Sequence, residues 1–173
     1  MSPPIETASD RLADETLSRL PGDVARPAYE RAKVTPGIVH LGVGAFHRAH
    51  QAVYVDDRLA AGETGWGIIG ASLQSAATRD ALGPQDGLFT FAERGPDGER
   101  LRVIGSLSEV LVAPDDPQRL LARLCDPRIR IVSLTVTEKG YCHDPATGSL
   151  REDHPEILHD LAALRQLDAR RAG

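Results

Sequence analysis

The chain alternates between two hydropathy patterns. Short apolar runs close on glycine or polar residues, and longer stretches carry apolar residues at helical spacing. Ile38-Val39-His40-Leu41 is an apolar run ending at Gly42, as a buried parallel strand would. A helix is expected from about Phe46 to Ala61, with Ala49, Val53 and Ala60 on a small apolar face, Asp56-Asp57 on the polar side, and Gly62 as its stop. Trp66-Gly67-Ile68-Ile69-Gly70 reads as a second strand and residues 72–82 as a short helix. Leu88–Phe91 and Leu101–Ile104 flank Gly95-Pro96-Asp97-Gly98, which predicts a hairpin whose second arm extends through Val110-Leu111-Val112. Asp115-Asp116-Pro117 opens a helix to about Leu124, and Ile129–Val136 is the strongest strand signal in the chain.

Strands alternating with helices predict right-handed crossovers and an α/β fold: a Rossmann-like, mostly parallel sheet flanked by helices, with a β-hairpin insertion. Residues 1–36 form a helical preface, with Leu12, Leu17 and Leu20 at roughly helical spacing before Pro21-Gly22. Residues 37–173 form the main domain. It ends in a helix from Pro155, whose stripe of Ile157, Leu158, Leu161, Leu164 and Leu167 is expected to dock backwards or on a partner.

Composition narrows the class. The chain has 173 residues, 41% of them hydrophobic, and carries a net charge of −5. An acidic protein lacks the basic face that nucleic acid requires. No apolar run reaches the roughly 20 residues of a membrane span, and the first residues lack the order of a secretory signal. With only Cys125 and Cys142 present, no disulfide scaffold is expected. The reading is a cytoplasmic, soluble domain. Of the 20 basic residues, only Lys33 and Lys139 are lysines, which limits chemistry that needs a titratable amine.

Candidate chemistry gathers at the first strand–helix turn, Gly42-Val43-Gly44-Ala45-Phe46-His47-Arg48. Gly42 suits a tight turn, Gly44 leaves room for a pyrophosphate near the backbone, and Arg48 supplies a guanidinium for phosphate. His47 stands where a third glycine is usual. No acid closes the second strand, where Ala71-Ser72-Leu73-Gln74 is neutral and the nearest charges are Arg79 and Asp80. From spacing alone, a dinucleotide site and a glycine turn that merely packs helix on strand both remain open. His47 and His50 have a spacing that can bind metal, but no third ligand sits at a matching offset, and no metal is expected. His40 reads as a hydrogen-bonded core histidine. Thr137-Glu138-Lys139, after the strongest strand, lies where an open sheet collects ligands, and a solvated turn is the alternative.

Three segments, Gly42–Gln51, Pro84-Gln85-Asp86-Gly87-Leu88-Phe89 and Thr135–Tyr141, stand in the order and spacing of the mannitol dehydrogenase family. These are long-chain polyol-specific dehydrogenases that include fructuronate reductase. The chain resembles that family over about residues 36–160, and Phe46-His47-Arg48 after the glycines is itself a mark of the family. The resemblance implies an NAD-binding Rossmann domain, with NADP possible. It implies hydride transfer to or from a polyol or sugar acid of the mannitol/fructose or mannonate/fructuronate type. Carried over by position, Gly42, Val43, Gly44, Ala45, Phe46, His47 and Arg48 hold the pyrophosphate, Ser72 lies at the nucleotide, and Thr137, Glu138 and Lys139 lie near the nicotinamide. The family's general-base lysine stands in a Lys-x-x-x-x-Asn-x-x-His pattern within a C-terminal helical domain. That pattern does not occur here, so no catalytic residue is assigned, and a missing C-terminal domain or a partner chain is implied. The other reading is a non-catalytic dinucleotide-binding or interaction module.

Overall fold

The computed structural model describes residues 11–136 and 138–171, with only the backbone of Glu138, Lys139, Ala169 and Arg170. These residues fall into two units, divided between Thr135 and Val136.

In the first unit four parallel strands form one sheet: β1 (Pro36–Leu41), β2 (Gly67–Ser72), β5 (Leu107–Val112) and β6 (Ile131–Leu134), in the order β5-β2-β1-β6. Helices α1 (Ala45–Ala49) and α2 (Gln51–Ala60) connect β1 to β2, and α4 (Pro117–Leu124) connects β5 to β6. Between β2 and β5 the chain forms α3 (Ala77–Leu82) and an antiparallel hairpin, β3 (Phe89–Gly95) with β4 (Gly98–Ile104). Strand order reverses beside β1, and such a switch point leaves a crevice beyond the carboxyl ends of the strands.

The expected sheet, hairpin and α4 are all present, with four departures. Val110–Val112 belongs to a separate parallel strand of the main sheet and does not extend the hairpin. Gly105-Ser106 breaks the run after β4, and Ser106 Oγ donates to the Ala52 carbonyl at 2.7 Å, turning the chain across to β2. The helix expected from Phe46 to Ala61 is broken at His50, whose φ and ψ of −124° and −88° leave the helical region. The N-terminal leucine pattern forms a 3-10 helix at Asp14–Arg19 rather than an α-helical face. The strongest strand signal forms an edge strand, with Ile131, Val132 and Leu134 exposed.

The core lies on both faces of this sheet. Ile38, Ile68, Ile104 and Leu107 pack against Leu59 and its neighbours on α2, while Val39, Ile69, Ala71 and Leu111 face Leu120 and Leu124 of α4. Asp116 caps α4 by accepting from the Arg119 N–H at 2.9 Å. Gly87 lies at φ +76°, and a Cβ there would stand 2.4 Å from the Leu107 carbonyl oxygen. Both strain and clash oppose a side chain, so Gly87→Ala is expected to destabilise the unit by about 3 kcal/mol. Urea unfolding checks this, and a loss under about 1 kcal/mol would show that β5 yields at this point.

The second unit contains a 3-10 turn at Glu138–Tyr141, a bridge between His143 and Leu150, and α5 (Pro155–Arg171). Both cysteines are free thiols. Among the described residues, no helix is long and apolar enough to cross a membrane.

Candidate nucleotide-binding site

Gly42 sits at φ +99°, a conformation that favours glycine. Its N–H donates to the Ala71 carbonyl at 2.8 Å, so the loop after β1 is bound to the end of β2. The Gly44 N–H donates back to the Gly42 carbonyl at 2.8 Å, and Gly44 then precedes α1. Gly44 itself has φ −81° and ψ −178°, extended backbone open to any residue. A Cβ built there meets nothing within 4 Å. Folding therefore makes no demand for glycine at this position, yet the bare backbone keeps a space clear.

The residues around this space divide by direction. Gly44, Ala45 and Phe46 are exposed. Val43 is buried, and Gly70 of β2 makes room for it, since a Cβ on Gly70 would lie 2.4 Å from Val43 Cγ2. Arg48 donates from Nη1 to the Val43 carbonyl at 2.9 Å, so its guanidinium buttresses the loop. His47 is 1% exposed and stacks on His40 with ring centroids 3.8 Å apart. Val43 and His47 therefore support the loop from beneath, and only the backbone and the exposed residues face the open side. Ser72 is half-buried at the end of β2, beside the Ala71 carbonyl that anchors Gly42.

Thr137 lies outside the described residues. Glu138 and Lys139 fall on the 3-10 turn of the second unit. His50 is exposed while His47 is buried, so the two rings do not share a surface.

Beneath the loop lies a polar network that sequence reading touched only at His40. His40 Nδ1 is 2.9 Å from Ser133 Oγ and Nε2 is 3.1 Å from Thr135 Oγ1. Ser133 Oγ in turn donates to Gln51 Oε1 at 3.2 Å. The alternation of Ser133 and Thr135 within an apolar strand signals a polar pair on one face. Among the described residues, both ring nitrogens of His47 are buried without a hydrogen-bond partner. Burial pulls the His40 imidazole below its usual range. Burial, followed by the neighbouring His40 and Arg48, pulls His47 down to about 3.

This depression has a defined consequence. The unfolded chain takes up a proton on His47 near pH 6.5, and the folded chain does so only near 3. Stability is therefore lost as pH falls between those values, by about 2 kcal/mol from pH 7 to pH 5 for this residue alone. Denaturation of the chain and of His47→Phe across that range measures the difference. Equal slopes would show that His47 is not held neutral.

A parallel sheet with a reversal point, a glycine turn after its first strand and an open backbone cradle define a dinucleotide-binding Rossmann domain. The model of the mannitol dehydrogenase Rossmann domain matches residues 36–172. The chain belongs to the mannitol dehydrogenase family. It is 51% identical over 142 residues to a mannitol 2-dehydrogenase of Cereibacter sphaeroides, covering 80% of this chain and 30% of the relative. The fold matches Pseudomonas fluorescens mannitol 2-dehydrogenase, solved as a ternary complex with NAD and D-mannitol. There the TM-score is 0.80 and the identity 47%, over 88% of this chain and 32% of that one. A D-sorbitol dehydrogenase in substrate-free form matches with TM-score 0.76 and 40% identity, over 87% of this chain and 32% of that one. The chain thus spans about a third of the length of these relatives.

Proposed function

We propose that this chain binds NAD(H) at the Gly42–Arg48 turn, as the cofactor domain of an oxidoreductase acting on a polyol or sugar acid. The carrying observation is the unfilled space at Gly44, whose extended backbone gives folding no reason to choose glycine. A pyrophosphate fits there against bare backbone, with the first N–H groups of α1 directed toward it. The exposed Gly44, Ala45 and Phe46 line that space, while Val43, His47 and Arg48 hold its floor. Ser72 faces the ribose end, and Thr137, Glu138 and Lys139 are proposed near the nicotinamide.

When bound, the nicotinamide ring accepts or donates a hydride. This chain's part is to hold and orient the dinucleotide. Removing hydride from an alcohol also needs a positioned base for the hydroxyl proton. Neither Lys33 nor Lys139 stands in the family's lysine pattern, so the base is proposed to come from a C-terminal domain or a partner chain. Alone, the chain binds without turnover. Mannitol/fructose and mannonate/fructuronate are the proposed substrate pairs, and the cytoplasm the proposed compartment.

NADH fluorescence tests the binding step. Saturable enhancement at sub-millimolar cofactor is expected, and folded protein that shows no binding at millimolar cofactor refutes it. Mannitol oxidation by the isolated chain would refute the assignment of the base to another segment.

A further inference from the structure

We infer that the nucleotide site accepts a 2′-phosphate on the adenosine ribose, so that the chain binds NADP(H) on terms comparable with NAD(H). This rests on the nucleotide-binding role proposed above and specifies its ligand. A Rossmann domain selective for NAD places a carboxylate at the end of its second strand. That group accepts from the ribose hydroxyls and repels a 2′-phosphate, whereas an arginine nearby accommodates the phosphate.

β2 ends at Ser72, and the next five residues are Leu73, Gln74, Ser75, Ala76 and Ala77. None carries charge. Gln74 and Ser75 are exposed, and with Ser72 they offer amide and hydroxyl donors that serve a sugar hydroxyl or a phosphate equally. The first charge after β2 is Arg79 on α3.

Contacts tie that arginine to the loop after β5, which is itself joined to the end of β2. The Ala113 N–H donates to the Ser72 carbonyl at 2.9 Å, joining β2 to the loop after β5. On that loop Asp115 accepts from Arg79 Nη1 at 2.6 Å, and Asp80 accepts from Nε at 2.9 Å. Among the described residues, Arg79 Nη2 makes no hydrogen bond, so a donor is available in a fixed fork. The neighbouring carboxylates are committed elsewhere. Asp116 caps α4, and Glu109 pairs with Arg119 and Arg123. Asp80 and Asp115 bind Arg79 only through solvent-exposed pairs, which are weak. A doubly charged phosphate competes with them through stronger charge-assisted bonds.

The test titrates the full chain with NADH and NADPH by fluorescence, and with 2′,5′-ADP and 5′-AMP as competitors that probe the adenosine end alone. Expected dissociation constants for the two dinucleotides lie within tenfold of each other, with 2′,5′-ADP competing at least as well as 5′-AMP. NADH binding with at least a hundredfold preference over NADPH overturns the inference and leaves the nucleotide-binding role standing. Binding of neither dinucleotide refutes that role and the inference with it. Ser72→Asp is expected to move the NADPH-to-NADH affinity ratio at least tenfold toward NADH, and Arg79→Ala to move it severalfold the same way, with thermal melts confirming the fold. A ratio unmoved by both substitutions also overturns the inference.

Discussion

Asp56→Ala is expected to destabilise the first unit by about 3–4 kcal/mol, a large share of the stability of a domain this size. Asp56 is 1% exposed, and its carboxylate joins three segments distant in sequence. Tyr29 Oη and the Gly105 N–H both donate to Oδ1, the latter at 2.9 Å, and Arg102 Nη2 donates to Oδ2 at 2.6 Å. Removing it strands the buried Gly105 N–H and the Tyr29 hydroxyl, and these losses dominate. The Arg102 guanidinium is part-exposed and keeps Asp57 as a second partner, so it recovers some solvation. Burial, reinforced by the Asp56 carboxylate, already holds the Tyr29 phenol well above its usual range. Asp56→Asn keeps one acceptor oxygen and is expected to lose less, about 2 kcal/mol. Urea titration of both variants decides. A loss below about 1 kcal/mol for alanine would show that water or another group takes the place of the carboxylate.

Gly44→Val is expected to weaken NADH binding at least a hundredfold, about 2.7 kcal/mol, while leaving thermal stability nearly unchanged. Valine suits the extended backbone there, and a Cβ at this position meets no atom within 4 Å. Its side chain fills the space proposed for the pyrophosphate. Gly42→Ala should behave in the opposite sense. The φ of +99° makes any side chain strained, so stability falls by about 1–2 kcal/mol. Fluorescence titration and thermal melts on both variants separate the two roles. Unchanged NADH affinity in Gly44→Val would reduce the glycine turn to packing alone.

Much of this architecture can be read from local pattern. The apolar runs at Ile38–Leu41 and Trp66–Gly70, the hairpin around Pro96-Asp97 and the Asp-Pro start of α4 depend on near neighbours, and all appear as expected. The glycine turn was legible for the same reason, since Gly42 acts on its own backbone.

What local pattern does not show has a different cause. Asp56 looks like half of a solvated acidic pair, and nothing local shows that Tyr29, Arg102 and Gly105 converge on it. His47 resembles a ligand residue by its place after the glycines, and only its stack on His40 turns it inward. Val110–Val112 looks like more hairpin because its partner, β2, lies some 40 residues away. Ile131–Leu134 has the composition of a central strand, but among the described residues β1 is its only partner in the sheet.

Residue order along the chain was thus sufficient for most of the parallel strands, for the hairpin and α4, and for where bare backbone meets a turn, because those outcomes follow from steric and periodic rules acting over a few residues. The choice of strand neighbours, of which carboxylate is buried and of which face of the loop remains open came from folding. Each is settled by desolvation and hydrogen bonding between groups that only chain closure brings within reach.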